Sequence, residues 1–198
     1  MKKILTFFLL TLLFFSKSNI SFSIEPDVFI QSTVNRAADT LGGNFTTDER
    51  IDRLKQIAKE TVDITGIGYY SLGSHRKGLS KEQLSNYKIA FEKYFLKSFS
   101  SRLAEYSNPE IEVISKNKLN KNYTIVLSKL VATDSRPEVK IEWRVYTKNK
   151  DQPLIRDLII EGLSLARTQK EEFNSIIQSA DGDLNVLLDN LRNFSNAS

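Results

Sequence analysis

Few side chains in this sequence could do chemistry, and their spacing limits what that chemistry would be. The 198 residues include one histidine, His75, and no cysteine. A His/Cys metal cluster or a Cys–His nucleophile pair therefore cannot be assembled. A Ser–His–acid triad would have to use His75. The segment Gly162-Leu163-Ser164-Leu165-Ala166 approaches the Gly-x-Ser-x-Gly nucleophile elbow but lacks its last glycine. Ser164 also ends an expected antiparallel strand, where capping the following helix is its more natural use. Gly66, Gly68 and Gly73 have neither the preceding strand nor the spacing of a dinucleotide loop and read as flexible turns. Glu171 with Glu172, and Asp181 with Asp183, could hold a divalent cation, but short acidic pairs near helix ends are ordinarily solvated faces or helix starts. No catalytic residue, metal ligand or cofactor is expected, and the protein is not expected to be an enzyme.

What the sequence offers in place of a reaction centre is apolar surface, carried on elements that can be located from spacing. Pro26 starts a helix whose stripe would be Val28, Val34, Ala37, Ala38 and Leu41, stopped by Gly42-Gly43. Thr46 with Glu49 forms a capping box ahead of Ile51, Leu54, Ile57 and Ala58. A short segment, 62–72, follows. Ser80 with Gln83 is a second capping box, and it opens the longest helix. There Leu84, Tyr87, Phe91, Phe95, Phe99, Leu103 and Tyr106 fall three or four apart, on one face. Pro109 would close a helix of about 27 residues, roughly 40 Å long, enough to cross a sheet.

Period two then takes over. Segments 110–115, 123–133, 139–148 and 154–164 read as strands. In the third, Val139, Ile141, Trp143 and Val145 share one face, opposite Lys140, Glu142, Arg144 and Tyr146. The second is apolar in both phases, as a central strand would be. Helical spacing returns with Phe173, Ile176 and Ile177, then Leu184, Leu187, Leu188 and Leu191. Helices, an antiparallel meander and helices again make an α+β domain.

The amino terminus sets the expected compartment. Lys2 and Lys3 precede an apolar run from Ile4 to Phe15, and Ser21 and Ser23 precede Ile24. That order is the pattern of a secretory signal peptide, residues 1–23, with 24–198 as one mature domain. The 12-residue run is shorter than the ~20 residues a spanning helix needs; an uncleaved anchor is the rival reading. Lys2, Lys3 and Lys17 leave with the signal, so 25 basic residues face 24 acidic ones and the net charge falls from +4 to +1. Lysine and glutamate alternate through most segments, so nucleic acid is not an expected partner. A core without disulfides must rest on packed apolar area.

Three stretches resemble the MlaC, or toluene-tolerance, family of periplasmic phospholipid-binding proteins. The first is Leu72-Gly73-Ser74-His75-Arg76 with Gln83, Tyr87, Phe91, Tyr94, Phe95, Leu103 and Tyr106. It departs from the family at Arg76, where an aromatic residue is usual, and at Leu84, where a basic one is. The second is the strand containing Trp143. The third, Asp157 to Leu165 with Glu161-Gly162 and Ser164, is similar to a family segment that also leads into a Phe-containing helix, here that of Phe173; Asp183-Leu184 and Leu191 fit the family's ending. The resemblance implies a curved antiparallel sheet of about four strands, with helices packed around it enclosing an apolar cavity for the acyl chains of a phospholipid. It further implies docking to an inner-membrane ABC transporter lipid-transfer complex and an outer-membrane lipoprotein–porin complex. A monomer is expected.

On this reading the acyl chains would lie against Phe91, Phe95 and Phe99 of the long helix. On the strands they would meet Val126, Leu130, Ile141, Trp143, Val145, Leu158 and Ile160. Three alternatives stay open: a carrier of another apolar cargo such as lipoprotein acyl chains, a periplasmic adaptor with a dry core, and a small hydrolase using Ser164 and His75. A phenylalanine stripe is ordinary core by default, and spacing alone does not separate a dry core from a ligand cavity.

Overall fold

The structure is a computed structural model that describes residues 23–106 and 109–197. Residues 1–22, nearly all of the expected signal peptide, lie outside the described residues.

Local signals place most helix ends. Helix α1, Pro26–Gly42, begins on proline with Asp27 in its first turn. Its buried apolar side chains are Ile30, Val34 and Leu41, while Val28 is 62% exposed. The stripe is therefore rotated from the one expected through Val28. Helix α2, Thr47–Thr61, carries the expected capping box. The Glu49 N–H donates to the Thr46 hydroxyl (3.3 Å) and the Thr46 N–H to the Glu49 carboxylate (2.8 Å). Helix α3, Ile64–Ser71, is capped by Asp63, which accepts from the Gly66 N–H at 2.9 Å.

Helix α4, Lys81–Ala104, opens on the Ser80/Gln83 box. It ends before Pro109, at 24 residues, or about 36 Å. Helices α5, Leu165–Ser179, and α6, Leu184–Asn196, complete the set.

The expected flexible turns at Gly66 and Gly68 are instead inside α3. A Cβ on Gly68 would stand 2.7 Å from the Phe91 ring, so glycine lets α3 close directly on α4. The same carbonyl, that of Gly68, accepts from the buried Tyr87 hydroxyl at 2.9 Å. Burial raises the pKa of that phenol far above its usual value.

The strands are β1, Ile111–Asn120; β2, Tyr123–Leu130; β3, Val139–Tyr146; β4, Leu154–Ile160; and the two-residue β5, Leu163–Ser164. They form one antiparallel meander in sequence order. Ile160 and Leu163 pair across Glu161 and Gly162, both at positive φ (49° and 83°). That is the backbone a two-residue hairpin turn requires, and Gly162 adopts it without strain. Register shifts in β1 at Val113/Ser115 and between β3 and β4 at Arg144/Val145 bend the strands and increase their twist.

Two apolar cores result. One joins α3, α4, α5 and α6 around Tyr87, Phe91, Phe173, Ile177, Leu187 and Leu191. The other packs Ile30 and Val34 of α1 on Val126, Val145 and Ile155 of the sheet. Val62 touches both. The helix that crosses the sheet is therefore α1; α4 packs chiefly on α2, α3 and α6.

Candidate functional site

The helix-facing side of the sheet is built in rows. Thr124, Val145 and Ile155 are paired neighbours, followed by Val126, Trp143 and Leu158, then Ser128, Ile141 and Ile160, then Leu130 and Val139. In β2 burial alternates cleanly, with Thr124, Val126, Ser128 and Leu130 buried. This settles which phase of that doubly apolar strand faces inward, because α1 lies on it. Val126 and Val145 are 0% exposed and belong to the packed core under α1.

At the margin of that core, against which Trp143 packs, burial falls. Trp143, Leu158 and Ile160 are half-buried. Leu130 and Ile141 are buried, yet neither belongs to the two packed cores. The Trp143 indole N–H donates to the Ser128 hydroxyl at 2.8 Å, and that hydroxyl donates to the Ile141 carbonyl at 3.4 Å. The one polar atom of the tryptophan is thus satisfied inside the sheet, and the ring is left as an apolar plate at the edge of the core.

On the helical side the expected stripe divides. Phe91 is 2% exposed and meets Phe173 edge-on, with ring centroids 6.0 Å apart. It is a core residue. Phe95 and Phe99 stack at 5.7 Å with ring planes 8° apart, and both are only half-buried against the helical core. Among the ten candidates, Phe95, Phe99, Trp143, Leu158 and Ile160 thus keep apolar surface that the dry cores do not use. Phe91, Val126 and Val145 do not. The phenylalanines and the strand residues sit in different packing units, joined through Val62 and the α3–β4 contact.

That joint is polar as well as apolar, and spacing gave no hint of it. The Asp63 N–H donates to the Ile155 carbonyl at 2.9 Å. The Arg156 guanidinium donates to Asp63 at 2.6 Å and to the Tyr123 hydroxyl at 2.6 Å, and lies 3.6 Å from the Tyr146 ring centroid. Arg156 sits at the β4 irregularity, where the extra residue turns its side chain toward α3. Asp157, buried, accepts from the Ser164 hydroxyl at 2.7 Å and the Ala166 N–H at 3.0 Å. Ser164 in turn accepts from the Arg167 N–H at 3.1 Å. Ser164 is a helix cap, as its sequence position indicated, and its hydroxyl is directed to Asp157, while His75 pairs with Asn174 at 3.0 Å.

A groove of about 470 Å³ runs between α1 and the start of β1, lined by Gln31, Val34, Asn35, Ala38 and residues 109–113. None of the ten candidates lines it. The Gln31 amide crosses it, donating to the Ile111 carbonyl at 3.2 Å and accepting from the Val113 N–H at 3.0 Å. The crevice between α3 and α4 at Gly68 and Phe91 has no room for water. Among the described residues no group of three His, Cys, Asp or Glu side chains converges as a metal site would, and no helix is long and apolar enough to cross a membrane.

The described residues thus form an α+β scaffold in which Phe95 and Phe99 flank the helical core, Trp143 flanks the sheet core, and Asp63, Arg156, Asp157 and Ser164 are engaged in caps and clamps. The chain belongs to the MlaC protein family, whose model matches residues 31–193. It is similar in fold to a phospholipid-binding protein from Ralstonia solanacearum, solved in complex with a phospholipid. The two share a TM-score of 0.72 at 17% identity, covering 87% of this chain and 97% of that one. No curated protein matches it in sequence.

Proposed function

We propose that this protein is a periplasmic carrier that holds phospholipid by its acyl chains and shuttles it between an inner-membrane ABC transporter complex and an outer-membrane lipoprotein–porin complex. The observation that carries the reading is the similarity, over 87% of this chain and 97% of the other, to a protein solved in complex with a phospholipid. The half-buried set of Phe95, Phe99, Trp143, Leu158 and Ile160 supports it, because these residues supply apolar wall beyond what the cores consume. Two acyl chains carry on the order of 30 methylene groups, each costing about 0.8 kcal/mol to expose to water. Free passage through an aqueous compartment would thus cost on the order of 20 kcal/mol. An apolar pocket replaces that cost with a near-balanced exchange between two apolar media. No reacting group is needed for this.

Transfer of fluorescent phospholipid between donor and acceptor vesicles held apart by a membrane permeable to protein tests the reading. The protein is expected to accelerate transfer, and Leu158→Asp to slow it more than tenfold, because an unpaired carboxylate is costly against acyl chain. Transfer no faster than without protein would favour the adaptor with a dry core. Acceleration that is indifferent to Leu158→Asp would move the chains off this face of the sheet.

A further inference from the structure

We infer that the hairpin end of the sheet is a docking surface for an anionic lipid bilayer. The β1–β2 turn and the β3–β4 turn lie side by side there, since the Thr147 N–H donates to the Asn122 carbonyl at 2.8 Å. Together they present Lys118, Lys121, Lys148 and Lys150, all exposed and none in an ion pair among the described residues. Leu119, 54% exposed, lies between Lys118 and Lys121 in the sequence, at the irregularity near the end of β1.

The neighbouring charges sharpen the contrast. Lys116, one step back along β1, is held by both Glu25 and Asp27 at the start of α1, so those two carboxylates are already engaged. Asp151 is the remaining acid in the two turns. At the opposite end of the sheet lysines are matched: Lys129 lies between Glu112 and Glu138, and Lys140 contacts Glu142. One end of the sheet is therefore neutralised and the other is left basic. The net charge expected after signal removal is only +1, so attraction to an anionic surface would have to come from this local cluster. An exposed leucine flanked by lysines fits the boundary between headgroups and acyl chains: lysines meet lipid phosphates while the leucine enters the apolar layer.

This inference rests on the carrier reading for its purpose, since a lipid carrier must meet bilayer or bilayer-embedded partners. The experiment separates the two. The protein purified after export is sedimented with vesicles of phosphatidylcholine alone and with 30% phosphatidylglycerol, at low and high salt, and its lipid content is measured separately. Each lysine near an anionic surface contributes roughly fivefold in partitioning. Changing all four lysines to Gln is therefore expected to weaken binding by roughly 600-fold, and Leu119→Ser to weaken it further. Binding should fade as salt shortens the Debye length. Far-UV circular dichroism and bound phospholipid should not change, because these side chains are exposed at the end of β1 and in the two turns. Wild-type protein that ignores the anionic vesicles, or a four-glutamine variant that binds them equally, overturns the inference. Normal vesicle binding by protein that never contains phospholipid would instead count against the carrier reading and leave the docking surface standing.

Discussion

Phe91→Ala is expected to cost about 3–5 kcal/mol of stability, the range for emptying a packed aromatic site. The side chain is 2% exposed and makes ring contacts with Tyr87, Tyr94, Phe95 and Phe173. It also fills the space that Gly68 leaves open. Removing it would uncouple α3, α4 and α5 at one point. For a domain of this size the melting temperature should fall by about 6–20 °C. Phe99→Ala, four-fifths of the way along the same helix face, should cost less than half as much in the same urea or thermal titration. Its ring is half-buried, and its one ring contact among the described residues is with Phe95. Equal costs at the two positions would mean that the stripe is one continuous dry core, which would remove Phe99 from any ligand wall.

Trp143 should report on bound lipid. It is the only tryptophan in the chain, so its emission has no competing source. The indole N–H is already bonded to Ser128, and the half-buried ring packs against the sheet core while keeping part of its surface uncovered. Delipidation is therefore expected to shift its emission while far-UV circular dichroism stays unchanged. Trp143→Ala should cost less than the ~3–5 kcal/mol of a dry aromatic site, because part of the lost contact was with a mobile ligand. Identical emission with and without lipid, together with severe unfolding of Trp143→Ala, would place the ring in a dry core. Phe95 and Phe99 would then be the remaining candidate wall.

What was legible in the sequence follows from how local each signal is. Capping boxes act over four residues, so Thr46/Glu49 and Ser80/Gln83 mark their helices correctly from sequence alone. The alternation of Val139 to Val145 likewise marks β3. The α1 stripe was misplaced because Val28 and Ile30 are both apolar, and only docking on Val126 decides which one is covered. Strand β1 runs on to Asn120 through a polar stretch, Ser115 to Asn120, which has no hydrophobic alternation and is held by backbone pairing with β2. The division of the Phe91–Phe95–Phe99 face is a tertiary fact: identical side chains at identical spacing differ because α5 reaches Phe91 through Phe173 and leaves Phe99 to its neighbour. Arg156 had no sequence signal, since its partners Asp63 and Tyr123 are 93 and 33 residues away.

The most direct test is native mass spectrometry of protein purified after export and never exposed to detergent. The spectrum should show an added mass matching diacyl phospholipid, lost on denaturation and recovered as phospholipid in a solvent extract. Head groups should follow their abundance in the producing cell, because the five half-buried candidates Phe95, Phe99, Trp143, Leu158 and Ile160 are all apolar and would grip the acyl chains. A spectrum at the bare polypeptide mass, with no phospholipid in the extract, would contradict the carrier reading and leave a dry-cored adaptor.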